Sequence, residues 1–265
     1  MINAAVLGSP VSHSLSPLLH SLAYAELGVA AHYESIEVKA GELHKFLLET
    51  EKNCLSLTMP LKEEALSVAH SISEIANRVS SGNTLWSVDG IWKLTSTDVS
   101  GFDHALKSHD LTDIDSVLVI GAGATARAAI ASVSEIATEV FVISRNPERE
   151  PAIKQASFGA VSFLPWELTD HINSADLVIN TTPKFAAEYF LPCIAKPRGT
   201  YFEVLYNPWP TAVSKLWSDS QANVIDGLDL LIHQAITQVE IFTTSTVDRD
   251  TFYAKMRKAA LLELG

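Results

Sequence analysis

At 265 residues, 47% of them hydrophobic, the chain is long enough to build one large or two modest cores. Its 31 acidic against 19 basic residues leave a formal net charge of −12, and no basic run offers a footing for nucleic acid or an anionic membrane. No apolar run nears the roughly 20 residues that span a bilayer, residues 1–7 lack the charged start and long apolar stretch of a secretion signal, and no metal-ligand cluster or repeat is present.

In chain order, Ala4 to Leu7 reads as a short strand running into the hydroxyl-rich loop Gly8-Ser9-Pro10-Val11-Ser12-His13-Ser14-Leu15-Ser16-Pro17. Ser16 before Pro17 is a favourable cap and first-turn pair, and Leu18, Leu19, Leu22, Ala23 and Leu27 form a helical stripe that stops at Gly28. Ser14 and Ser16 therefore flank a helix N-terminus, where unpaired N–H groups favour an anion; a simple cap and turn is the plainer alternative. A strand over Tyr33 to Val38, a helix near Glu42 to Glu49 and a strand from Cys54 to Thr58 follow. The next helix carries Lys62 in its first turn, beside the positive end of the helix dipole. Such a misplaced cation fits a lysine held for proton transfer, although an ordinary surface lysine explains it too. A helix near Glu74 to Val79 precedes Gly82-Asn83-Thr84. Two strands, Leu85 to Val88 and Ile91 to Thr95, then flank Asp89-Gly90, a strong hairpin signal. Asp98 after them either caps the next helix or presents a carboxylate to a cleft. Cys54 and Cys193 sit far apart among apolar neighbours and read as reduced, buried thiols, which fits the cytoplasm.

From Ser116 the pattern changes to alternating strands and helices, the signature of a parallel doubly wound sheet. The apolar run Val117-Leu118-Val119-Ile120 leads into Gly121-Ala122-Gly123-Ala124-Thr125-Ala126 and then a helix, which is G-x-G-x-x-A in its proper strand–turn–helix setting. A Rossmann-type dinucleotide site follows from that context. The next strand, Glu139 to Ile143, ends not in the acidic residue that would bond the ribose of NAD but in Ser144-Arg145-Asn146. Arg145 suits a 2′-phosphate through its charge and planar donor fork, so NADP is the cofactor expected. Ala175 to Thr182 reads as a strand whose carboxyl end should turn Asn180 and Thr181 toward cofactor. Thr200 to Tyr206, a helix near Thr211 to Trp217, a strand Asn223 to Ile225, a long helix opened by Gly227 and a last helix capped by Asp248 complete the chain.

The ordered series of motifs resembles the shikimate dehydrogenase family along essentially the whole chain. The loop over Gly8 to Pro17 is similar to that family's amino-terminal substrate loop, Ser56-Leu57-Thr58-Met59-Pro60-Leu61-Lys62 to its catalytic-lysine motif, and Gly82-Asn83-Thr84 and Thr97-Asp98-Val99-Ser100-Gly101 to its next two substrate motifs. The resemblance implies an α/β protein of two domains: a substrate domain at 1–100 plus 236–265, and a Rossmann-type NADP-binding domain at 101–235. It implies a catalytic pair, Lys62 and Asp98, and substrate contacts from Ser14, Ser16, Thr58, Asn83, Tyr206 and Gln234. Cofactor contacts would come from Gly121, Ala122, Gly123, Ala124, Thr125, Ala126, Ser144, Arg145, Asn180, Thr181 and Gly227. Four positions depart from the family's usual residues: Ser56 and Ser96 stand for asparagines, Glu203 for an aspartate and Asp229 for a glycine. The implied reaction is reversible NADPH-dependent reduction of 3-dehydroshikimate to shikimate in aromatic amino-acid synthesis. No nucleic acid, membrane or metal enters, and a homodimer is left open. A quinate dehydrogenase of the same fold, and more remotely a non-enzymatic NADP-sensing module, are the rival readings.

Overall fold

A computed structural model describes residues 1–265, and the chain divides into two compact units: Met1–Gly101 with Ile232–Gly265, and Phe102–Leu231. The first unit opens with β1 (Ile2–Gly8), α1 (Ser16–Glu26), β2 (Ala31–Glu37), α2 (Leu43–Glu49) and β3 (Cys54–Leu57). It continues through α3 (Leu61–Val68), β4 (Ser71–Ile72), α4 (Glu74–Arg78), β5 (Thr84–Val88), β6 (Ile91–Thr95) and the start of α5 (Thr97–Ser108). Its six strands form one sheet in the order β2-β1-β3-β5-β6-β4. The β2-β1-β3 part is parallel, and the Asp89-Gly90 hairpin adds β5 antiparallel to β3. Under this sheet Leu7, Leu55, Leu57, Leu61 and Leu85 pack as a water-free core, where each large side chain contributes about 1.5–3 kcal/mol by leaving water.

The second unit holds β7 (Ile114–Ile120), α6 (Ala124–Val133), β8 (Ala137–Ile143), α7 (Glu150–Ala156), β9 (Ser162–Leu164) and α8 (His171–Ser174). After these come β10 (Leu177–Asn180), β11 (Thr200–Glu203), α9 (Ala212–Asp219), β12 (Val224–Ile225) and the first turns of α10 (Gly227–Thr243). Its sheet is parallel throughout, with order β12-β11-β10-β7-β8-β9. Read from the other edge this is the 3-2-1-4-5-6 order of a dinucleotide-binding fold, whose ligand site lies where the order reverses, between β7 and β10. The rest of α10 and α11 (Arg249–Leu264, capped by Asp248) return to the first unit. No helix is long and apolar enough to cross a membrane.

Two local expectations are corrected. Ser16 does not cap α1: Leu15 is already in the helical region (φ −79°, ψ −6°), so Ser16 is the first helical residue and its side chain makes no cap bond. Cys193 is half-buried rather than enclosed, although both cysteines are free thiols.

Candidate active site

Lys62 and Asp98 meet. The Lys62 ammonium lies 2.6 Å from Asp98 Oδ2, with side-chain exposures of only 17% and 6%, which rules out a solvated surface lysine. Local structure fixes both ends of this pair. Lys62 follows the turn in which Leu61 N–H bonds to the Thr58 carbonyl, in the first turn of α3. There the helix dipole repels a cation and favours its reach to a partner. Asp98 occupies the first turn of α5, where the same dipole favours a carboxylate. It therefore caps nothing; its Oδ1 accepts from Asn83 Nδ2 at 2.9 Å.

Asn83 is the hinge of the arrangement. Its Oδ1 accepts from Thr97 N at 2.7 Å, Thr84 Oγ1 at 2.9 Å and Thr97 Oγ1 at 3.1 Å. With the oxygen so occupied, the amide nitrogen must face Asp98, and it also donates to Gln234 Oε1 at 3.1 Å. Four of the eight residues assigned by resemblance to catalysis or substrate thus form one cluster: Asp98, Asn83 and Gln234, all buried, and half-buried Lys62. Thr58 lies just past β3, half-buried, with its N–H on the Leu7 carbonyl. Ser14 and Ser16 are joined at the start of α1, where Ser14 Oγ accepts from the Ser16 N–H at 3.2 Å. Ser14 is half-buried and Ser16 buried. Tyr206 is half-buried in the second unit.

Behind this cluster runs a set of polar residues of which sequence reading singled out only Ser56. Tyr33 OH donates to Ser56 Oγ at 2.6 Å, and Ser56 Oγ donates to Gln238 Oε1 at 2.7 Å. Gln238 Nε2 donates to the Asn83 carbonyl and to Thr84 Oγ1, both at 3.0 Å. His20 stacks on Tyr33 (ring centroids 4.2 Å apart), with Nε2 3.1 Å from Gln238 Oε1. Burial pushes His20 down from 6.5 to about 3, so the ring is neutral. Gln238 sits four residues after Gln234, one helical turn away on the same face. That spacing is the signal that was available.

In the second unit, Gly121 follows β7 with φ +120°, and a Cβ there would stand 2.3 Å from Thr181 Oγ1. Only glycine turns the chain so close to Thr181, whose hydroxyl donates to the Ile120 carbonyl at 2.9 Å. Gly123 is the residue before α6, with no side chain covering the first-turn N–H groups and open space where a Cβ would point. Ala122, Ala124 and Thr125 line this turn, and buried Ala126 lets α6 lie close on the sheet. Uncovered N–H groups at a helix start suit a diphosphate, so the loop fits a dinucleotide. Arg145 is exposed after β8, its guanidinium 5.2 Å over the Trp166 ring, while Ser144 and Asn146 bond to one another. An exposed Arg held over an aromatic face fits a phosphate monoester.

Asn180 differs from expectation. It is buried, its Nδ2 donates to both Glu203 oxygens at 3.0 Å, and its Oδ1 accepts from Thr182 N and Oγ1. The side chain faces inward and shapes the turn after β10. Gly227 packs where a Cβ would stand 2.4 Å from the Val204 carbonyl oxygen, so α10 starts against that backbone.

The departures find partners, with one exception. Glu203 also accepts from Tyr201 OH and Thr211 Oγ1, both at 3.1 Å, and burial raises its pKa. Asp229 lies 2.9 Å from His109 Nε2. Ser96 is buried with no partner for its hydroxyl.

Known proteins share this architecture. Residues 6–85 match the family model described as the shikimate dehydrogenase substrate binding domain. The shikimate dehydrogenase (NADP(+)) of Prochlorococcus marinus is 33% identical over 262 residues, covering 90% of this chain and 91% of that protein. The crystal structure of Mycobacterium tuberculosis shikimate dehydrogenase superposes with a TM-score of 0.88 at 32% identity, over 97% of this chain and 99% of that one. The Thermus thermophilus shikimate 5-dehydrogenase, solved in complex with NADP(H) and shikimate, gives 0.84 at 29% identity, over 98% and 100%. With two fold-matched units and a full-length relative at one-third identity, the chain belongs to the shikimate dehydrogenase family.

Proposed function

We propose that this NADP-dependent oxidoreductase interconverts 3-dehydroshikimate and shikimate, with Lys62 as the proton donor in the reductive direction. The observation that carries this reading is the sequestered 2.6 Å Lys62–Asp98 pair. When the C3 ketone is reduced, charge develops on its oxygen; an ammonium at that position both stabilises the charge and delivers the proton. Asp98 and Asn83 hold that ammonium in one orientation. The chemistry supplied by bound NADP(H) is the hydride exchanged with C3. Its diphosphate would rest on the N–H groups after Gly121 and Gly123, and its 2′-phosphate on Arg145 and Ser144.

Ser14 and Ser16 present hydroxyls for the substrate carboxylate. Thr58, Asn83, Asp98 and Gln234 match the ring hydroxyls, and a site built to hydrogen-bond hydroxyls rejects analogues lacking them. The enzyme's place is the cytoplasm, a reading supported by its two free thiols. The test is absorbance at the NADPH band with shikimate or quinate against NADP⁺ or NAD⁺. Turnover is expected to be strongest with shikimate and NADP⁺, by about 10-fold or more in kcat/KM. Equal rates with quinate, or with NAD⁺, would overturn the assignment, as would no reaction at all.

A further inference from the structure

The mechanism above uses Asn83 as the donor that orients Asp98, but an asparagine amide has two faces, and something must select between them. All four hydrogen-bonding positions of the Gln238 amide are used. Its oxygen accepts from Ser56 Oγ at 2.7 Å and lies 3.1 Å from His20 Nε2; its nitrogen donates to the Asn83 carbonyl and to Thr84 Oγ1, both at 3.0 Å. A saturated amide has one orientation. Thr84 Oγ1 receives from Gln238 and also lies 3.1 Å from Thr97 Oγ1, whose own hydroxyl donates to Asn83; the Thr84 proton goes to Asn83 Oδ1 at 2.9 Å, the shorter contact. That bond, with Thr97 N at 2.7 Å, keeps the Asn83 oxygen away from Asp98 and its nitrogen toward it.

The oxygen side is equally directed. Tyr33 OH donates to Ser56 Oγ, so the Ser56 proton is free to go to Gln238. Gln238 Oε1 can only accept, so neutral His20 carries its proton on Nε2 and leaves Nδ1 to accept from the Tyr24 hydroxyl 3.1 Å away. Proton directions therefore run without conflict from Tyr33 and His20 to Asp98.

We propose that Gln238 is a positioning residue for the proton-transfer pair, fixing through Thr84 which face of the Asn83 amide meets Asp98. The proposal rests on the assignment of Lys62 and Asp98 to proton transfer. Ser56 takes part through one small hydroxyl, which accepts from Tyr33 and donates to Gln238.

The test compares Gln238→Leu, which keeps the volume and removes the four bonds, with the wild type in shikimate oxidation. The kcat is expected to fall about 10-fold, the scale of a modest misalignment of reacting groups. KM for shikimate should stay within about 2-fold, since Gln238 touches no substrate. The low-pH limb of kcat should also move, because the Lys62–Asp98 pair is no longer held in one geometry. A variant that melts at lower temperature yet keeps the wild-type kcat and pH profile would overturn the proposal and leave Gln238 a packing residue. Should Gln238→Leu fail to fold, Thr84→Val severs the same link and carries the same expectation in both readouts, and unchanged kcat and pH limb there overturn it equally. Failure of the wild type to oxidise shikimate would instead remove the function on which the proposal rests.

Discussion

The two units prepare their chemistry in opposite ways. In the first, every group assigned to proton transfer is buried or half-buried and tied by side-chain hydrogen bonds: Lys62 to Asp98, Asp98 to Asn83, and Asn83 to Gln234, Thr84 and Thr97. In the second, the residues assigned to the dinucleotide offer backbone and open space: Gly121 at a positive φ, Gly123 with nothing near its missing Cβ, and Arg145 exposed on an aromatic face. The contrast follows from what each must do. A proton passes only between groups whose orientation is fixed. A diphosphate needs a set of N–H donors that no side chain obstructs.

Breaking the buried half should have the larger consequence. Lys62→Ala is expected to lower kcat by about 10²–10⁴, the range for loss of a general acid–base group, with little change in KM for shikimate. Steady-state kinetics check this, and a KM-only effect would move Lys62 from chemistry to binding. On the open half, Arg145→Ala should raise KM for NADPH by roughly 10- to 100-fold, the scale of charge-assisted hydrogen bonds, and leave KM for NADH nearly unchanged. Equal losses with both cofactors would reject its phosphate role.

The remaining effect concerns stability. Folded His20 titrates near 3 instead of 6.5 because burial disfavours its charged form. Between those values the unfolded chain holds a proton that the folded chain refuses. This contribution is therefore intact above about pH 6.5 and is lost as pH falls, by up to about 1.4 kcal/mol per unit until near pH 3. Urea unfolding at pH 7 and pH 5 should show the loss in the wild type and a reduced loss in His20→Gln; identical losses would show that other groups govern acid sensitivity.

The same contrast explains what could be read from the chain alone. The open half was legible because its determinants are local: β7, the glycine turn and α6 are contiguous, and G-x-G-x-x-A states its backbone requirement in six residues. The hairpin at Asp89-Gly90 was legible for the same reason. The buried half was not, since Lys62 and Asp98 lie 36 residues apart and Asn83 and Gln234 lie 151 apart. Their pairing came from the resemblance to a family, not from spacing. Ser16 was misjudged as a cap because nothing in Leu15-Ser16-Pro17 reveals that Leu15 already turns helically. The strands Ser71–Ile72 and Ser162–Leu164 are too short to show any period. Asn180 was placed toward the cofactor by the strand-end rule, but Glu203, one methylene longer than the usual aspartate, holds its amide inward.

The most direct measurement restores what the mechanism says is needed. Lys62→Cys should be nearly inactive in the NADPH absorbance assay, and treatment with 2-bromoethylamine should rebuild an ammonium at almost the same reach from the backbone. The account predicts that kcat then recovers by about 10-fold or more, while the wild type, which carries buried Cys54 and half-buried Cys193 through the same treatment, gains nothing. A modified variant as inactive as the unmodified one, with KM for shikimate unaltered, would contradict the claim that the ammonium at position 62 moves the proton.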